Sequence, residues 1–343
     1  MRKVLKSYKK PLLILALAFV SVVGLLIIYQ HTSVEYLMGA LVHPAIIDAE
    51  GYEGALAAAD MPTDDSERFH RPSGRPAINT KYSFLDLMNN YESVPVFKNP
   101  EDLIKAYYGI LREASSMDGH HGGCGTIGFH KEPYPYAWKL LTEDYRKDLP
   151  LQKYIDSFKG TGHTTLLKLL PAWAPPGTPE NILYYMVEIE VITGPEITNE
   201  TRNRPQPGYF AYYYGLITVE DTGREGWKIK RIDYIPEDFL CAPYHGWHWD
   251  ASSLVEIIHG NLYGLVDRID SIDRHDCQYM VYAAGDGQLY RFDFVRLTNG
   301  EDVLLRENIR FAGVWKETNL LKESDQIYKL SVLNPRLKLS IGE

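Results

Sequence analysis

A chain of 343 residues with 45% hydrophobic side chains carries enough apolar material for one large core or two ordinary ones, which excludes a disordered polymer. Its formal net charge is −9, and five of its 36 basic residues (Arg2, Lys3, Lys6, Lys9 and Lys10) fall in the first ten positions, leaving 31 basic against 45 acidic residues beyond them. Binding phosphates needs a basic surface that this balance does not supply, so nucleic acid is excluded as the expected partner.

From Pro11 to Tyr29 the chain runs for nineteen uncharged residues, PLLILALAFVSVVGLLIIY. A helix of that length reaches ~28 Å at about 1.5 Å per residue, close to the ~30 Å hydrocarbon thickness of a bilayer. The stretch exceeds the ~7–15 residues of a signal-peptide core, and no small-x-small cleavage site follows it directly, so an uncleaved anchor is favoured over a removed signal. Basic residues crowd its N-terminal flank and none occurs between Pro11 and Ser66. The charge bias therefore makes residues 1–10 a cytoplasmic tail, 11–29 a transmembrane helix, and the rest extracytoplasmic.

Residues 30–98 have little sustained periodicity, and the run MPTDDSERFHRPSGRPAINT mixes Pro, Gly, Ser and charge as linkers do. They read as a stalk, or as irregular coil packed along the domain. Asn99 then opens the first clear helix. Its side chain suits an N-cap, Pro100 the first helical position, and Glu101 and Asp102 the positive end of the helix dipole. Leu103, Ile104, Tyr107, Ile110 and Leu111 recur at helical spacing up to Ala114. A Gly-rich loop from Asp118 to His130 follows, then helical patterns over Tyr136–Tyr145 and Leu151–Phe158, the second closed by Gly160.

Strand signals dominate from Thr164. Candidate strands span Thr164–Leu170, Asn181–Thr193 (Val187, Ile189 and Val191 alternating with Glu188 and Glu190), Gly208–Val219 and Trp227–Tyr234, the last two joined by a hairpin over Asp221–Gly226. In Trp227–Tyr234 the apolar parity changes after Ile229, which predicts a bulge near Lys230 and Arg231. One capped helix, two short helices and these long antiparallel strands resemble the nuclear transport factor 2-like superfamily, a cone-shaped α+β fold also used by ketosteroid isomerases and polyketide cyclases. The residues that carry the resemblance are Pro100–Ala114, Tyr136–Phe158 and above all Gly226–Tyr234, with Gly-Trp-Lys-Ile at its start; together it covers Asn99–Leu240. The Gly-rich His-containing loop departs from the family pattern. The resemblance implies a domain over 99–250, helices on a curved antiparallel sheet, and an envelope protein as partner, since membrane-anchored relatives serve as assembly parts of envelope or secretion machines.

Residues 251–343 read as a β-rich extension: a short helix over Ser252–Ile258, reaching as far as Leu262–Val266, then a meander of Gln278–Ala284, Gln288–Leu297 and Asp302–Arg306 with turns at Gly285-Asp286-Gly287 and Asn299-Gly300. The partly apolar tail beyond Asn319 is expected to dock.

Two clusters offer chemistry. Asp118, His120, His121, Cys124 and His130 lie in the Gly-rich loop; Cys241, His245, His248 and Asp250 lie in CAPYHGWHWD. His120, His121, Cys124, Cys241, His245 and His248 supply borderline and soft ligands for zinc or copper. The rival reading is a Cys124–Cys241 disulfide, admissible in an oxidising compartment. A third possibility is an enzyme pocket inside the cone, lined by His163, Asp233, Tyr184, Tyr212 and Tyr214, in the manner of relatives that set a general base against an apolar cavity. Nucleophile-elbow, zincin, P-loop and dinucleotide motifs are missing from the sequence. The expected protein is thus an α+β, cell-membrane, single-pass binding or scaffolding protein without catalysis; the alternatives are a small-molecule isomerase, cyclase or hydrolase, or a metal binder.

Overall fold

The computed structural model describes residues 36–43, 78, 84–85, 95–122, 128–203, 208–239 and 250–338. The anchor segment 11–29 lies outside them, and among the described residues no helix is long and apolar enough to cross a membrane. Tyr36–Leu339 forms one compact unit of mixed α+β structure.

Two mainly antiparallel sheets and two groups of helices make four layers. The first sheet holds six strands in the order β1-β2-β6-β5-β4-β3: β1 Tyr36–Leu37, β2 Ala40–Val42, β3 Thr161–Pro171, β4 Ile182–Thr193, β5 Tyr209–Asp221 and β6 Trp227–Pro236. Four helices cover one of its faces: α1 Pro100–Leu111, α2 Tyr134–Trp138, α3 Glu143–Asp148 and α4 Leu151–Asp156. Asn99 caps α1 as its chemistry requires, its Oδ1 accepting the N–H groups of Glu101 at 2.8 Å and Asp102 at 3.3 Å. The single helix expected over Tyr136–Tyr145 is instead two. The chain breaks at Leu140–Leu141, where Thr142 N–H donates to Ile229 O at 2.8 Å, and Thr142 then caps α3.

The bulge in β6 is present. Thr218 pairs with Arg231 and Val219 with Ile229, so Lys230 is the extra residue, and Ile229, Ile232 and Tyr234 all reach the helix-side core. Residues 36–43, expected in the stalk, join the sheet: Leu41 and Val42 run parallel to Asp233 and Tyr234 of β6. Met38 and Gly39, at φ 53° and 74°, make the tight turn between β1 and β2, and a Cβ on Gly39 would come within 2.4 Å of the Tyr154 ring.

The second sheet holds β7 Arg268–His275, β8 Gln278–Gly285, β9 Gln288–Arg296, β10 Asp302–Phe311 and β11 Val314–Thr318, in the order β11-β10-β9-β8-β7. It lies against the other face of the first sheet through Met186, Leu216, Ile235, Val295 and Leu305, joined by Leu330 and Leu337 of the tail. Each buried leucine there is worth about 1.5–3 kcal/mol. Its own outer face packs Val281, Tyr290, Phe292 and Phe294 on α5 Ala251–Leu254 and the wider π-helical turns Val255–Leu262. The extension is therefore a separate sheet within the same compact unit.

Candidate functional site

The space between the first sheet and its helices is built from tyrosines. Tyr107 and Tyr108 of α1, Tyr134 of α2, Tyr154 of α4 and Tyr234 of β6 are buried, and the neighbouring Tyr145 of α3 nearly so. Tyr108 and Tyr234 share a hydroxyl–hydroxyl hydrogen bond of 2.5 Å, Tyr154 OH donates to Tyr107 OH at 3.0 Å, and Tyr145 OH donates to Gly39 O at 2.7 Å. Burial, the largest cause, pushes the phenols of Tyr107, Tyr108, Tyr145, Tyr154 and Tyr234 well above their ordinary range. They stay neutral and act as bulk and hydrogen bonds. The interior between sheet and helices is thus occupied by side chains.

The residues expected to line an enzyme pocket do not converge there. Tyr184, Tyr212 and Tyr214 share strand parity with Met186 and Leu216, so they lie on the face toward the second sheet. Asp233 is on that face too; His43 Nε2 approaches it at 2.8 Å and Arg231 holds it bidentately at 2.6–2.7 Å. His163 sits at the start of β3, its Nδ1 donating to Arg112 O at 2.5 Å.

Of the expected metal ligands, Cys124, Cys241, His245 and His248 lie outside the described residues, and the Cys124–Cys241 pairing lies there with them. His120 and His121 are described. The His120 ring lies over Gly160, where a Cβ would approach it to 2.9 Å, and His121 N–H donates to Pro195 O at 2.9 Å while its Nε2 is buried with no hydrogen bond among the described residues. Asp118 pairs with Lys131 at 2.8 Å. Asp250 caps α5, accepting from Ser253 N–H at 2.9 Å. Among the described residues no group of three His, Cys, Asp or Glu side chains is arranged to hold a metal ion.

Besides the Asp233 cluster, charge is buried among the described residues at two places that the sequence did not mark. The first lies between the sheets. Lys168 donates to Glu188 Oε2, Glu188 Oε1 accepts Thr298 N–H at 2.8 Å, and Glu237 Oε2 accepts Asn299 N–H at 3.1 Å. Burial first, then the charge of Glu188, pushes the Glu237 carboxyl well above the usual carboxylate range. The second lies under the second sheet. Glu307 receives His259 Nε2 at 2.7 Å and Lys329 Nζ at 2.9 Å, with all three side chains fully buried. Lys329 also lies 4.2 Å from the Trp173 ring centre.

A cleft of about 190 Å³ opens beside this region, lined by Tyr214, Ile235, Leu254, Asp302, Tyr328 and Leu330 among others. It also holds Glu301, Lys329 and Asn334, and of its two carboxylates Asp302 receives Arg296 at 2.7–2.8 Å and Ala251 N–H at 2.9 Å.

Large apolar side chains reach solvent at the β10–β11 hairpin, where Phe311 is 60% and Val314 63% exposed beside Trp315, Arg310 and Lys316. The expected strand Asp302–Arg306 stopped short of this hairpin. The signal that would have found it is Phe-Ala-Gly-Val between two aromatic-basic runs.

No protein-family description matches the chain, and neither does any curated protein. Among solved structures, an Ntf2-like protein involved in plasmid conjugation is similar over 54% of this chain and 95% of its own, with 13% identity and a TM-score of 0.19. A likeness that distant bears on neither fold family nor function, and the chain stands as a mixed α+β protein.

Proposed function

We propose that this protein is a single-pass, membrane-anchored binding or scaffolding module. Its extracytoplasmic part is a cone-type domain of the nuclear transport factor 2-like kind, extended by a second sheet, and it contributes contacts to an envelope assembly in place of catalysis. The observation that supports a binding role is the filled cone. Where catalytic relatives keep a cavity, this chain stacks hydrogen-bonded tyrosines with neutral phenols. The second sheet covers the opposite face, so neither side of the first sheet is left as a substrate surface. The apolar stretch 11–29 and its basic N-terminal flank support the anchor and its orientation.

The test is photocrosslinking of the full-length protein in native membranes, with the crosslinker placed in turn at exposed positions of both sheets. The expected result is a discrete adduct with another protein from a contiguous set of positions, and retention of the chain in the membrane after an alkaline wash. Release by that wash overturns the anchor, and absence of an adduct from every position overturns the binding role.

A further inference from the structure

The face of the second sheet that meets the first continues past it. On the continuation, Arg310 pairs directly with Trp315, and Arg291 with Tyr282. The Trp315 ring centre lies 5.6 Å from the Arg291 guanidinium, 5.8 Å from that of Arg310 and 5.8 Å from the Tyr282 ring. The opposite face of the same hairpin carries exposed Phe311 and Val314, with Lys316 Nζ 4.5 Å above the Phe311 ring. Large apolar groups are thus presented on both faces, as befits an element that protrudes from the layers. Ala312 and Gly313, at φ 50° and 82°, close it with a tight turn.

Its charge runs against that of the chain. Between Ile309 and Lys316 there is no acidic residue, although the whole protein carries −9. Arg291 is partly neutralised by Asp293, at 2.8 Å, but Arg310 and Lys316 make no ion pair among the described residues. A guanidinium resting on an indole keeps its outward N–H groups oriented for a carboxylate. Trp, Tyr and Arg are also the residue types in which interface energy concentrates. Finally, β11 is the last strand of its sheet, and among the described residues no strand pairs with its outer edge.

Building on the binding role proposed above, we propose that the β10–β11 hairpin is a docking element for an acidic, extended segment of a partner protein. The segment adds to the free edge of β11, and its alternate side chains fall on the Trp315–Arg310 face and on the Phe311–Lys316 face. Charge selects this occupant. Two copies of the chain brought together here would set Arg310 and Lys316 against their own counterparts, whereas carboxylates satisfy both.

The full-length protein in detergent is titrated with a fluorescent alternating Glu-Val peptide, with a Lys-Val peptide as control, and with vesicles of phosphatidylserine and phosphatidylcholine. The Glu-Val peptide should bind with salt-sensitive affinity, and R310E and W315A should each weaken it about tenfold or more. R310E alters an exposed side chain, so it keeps the test valid should W315A disturb packing. Equal binding of the Lys-Val peptide, no effect of R310E, or stronger binding to the vesicles with the same variant dependence overturns the proposal. So does a dimer of the full chain that R310E dissolves. A crosslinker at Phe311 separates the two readings: adducts from other positions but none from Phe311 sink the hairpin site alone, whereas none from anywhere sinks the binding role itself.

Discussion

Glu307→Gln offers the most direct measure of the buried charge beneath the second sheet. The substitution preserves volume and removes the charge that faces Lys329 Nζ at 2.9 Å and His259 Nε2 at 2.7 Å. Lys329, fully buried, is left with Asn319 Oδ1 at 3.0 Å and the Trp173 ring. Removing one partner of a buried pair costs about 3–5 kcal/mol. The glutamine oxygen still accepts one hydrogen bond, so a loss near the lower end, about 3 kcal/mol, is expected. In urea, with an m-value of about 3 kcal/mol/M, the unfolding midpoint should fall by roughly 1 M. The pH dependence supplies a second readout. Burial, the largest influence, opposes the Glu307 charge, but the His259 hydrogen bond and the Lys329 charge outweigh it and hold the carboxyl below its ordinary value. A depressed folded-state pKa gives stability that is present above the unfolded value of about 4.3 and lost as pH falls through the folded one. The wild type should therefore lose stability on acidification below about pH 4, and the variant should lack that portion of the loss. A midpoint change under about 0.3 M together with an unchanged acid limb would refute the reasoning, because the pair would then be exchanging with water. The double variant Glu307→Leu with Lys329→Met should recover much of the stability, as apolar replacements of buried ion pairs commonly do.

The carboxyl of Glu237 has the opposite sign. Burial and Glu188 raise its folded-state pKa, so its contribution is full below the unfolded value and lost as pH rises through the folded one; Glu237→Gln should raise the thermal midpoint at pH 7 and leave it unchanged at pH 4. Tyr234→Phe strands the Tyr108 hydroxyl between the first sheet and its helices, and thermal denaturation should register a loss of about 1–2 kcal/mol. Asn99→Ala removes the α1 cap and should cost about 1 kcal/mol, with faster hydrogen exchange confined to the first turn of that helix.

Local chemistry was readable where one residue decides one feature. Asn99 and Pro100 start α1, and the parity change after Ile229 locates the bulge at Lys230. The strands β3 to β6 were placed because each has a continuous apolar face against the helices. The edge strands were missed for the converse reason. β7 exposes most of its side chains and β11 three of five, and neither buries any fully, so neither shows the alternation that marks a half-buried strand. The hairpin at Tyr36–Val42 was hidden by its shortness; pairing with β6, the Tyr145 hydroxyl on Gly39 O and the burial of Met38 and Ala40 hold it in place.

Glu188 and Glu190 separate what the sequence by itself determined from what only the tertiary structure decided. Their alternation with Val187, Ile189 and Val191 establishes a strand with two unlike faces, and that is correct. Alternation does not distinguish water from a second layer, and both glutamates are buried, at 0% and 3% exposure. What makes their burial tolerable is distant in the chain: Lys168 on β3, Tyr212 on β5, and the Thr298 N–H, 110 residues away. Secondary structure and caps follow from neighbours within a few positions. The fate of each charge, the tyrosine packing between the first sheet and its helices, and the exposure of the β10–β11 hairpin were settled by which layers met, because burial and ion pairing are properties of that meeting.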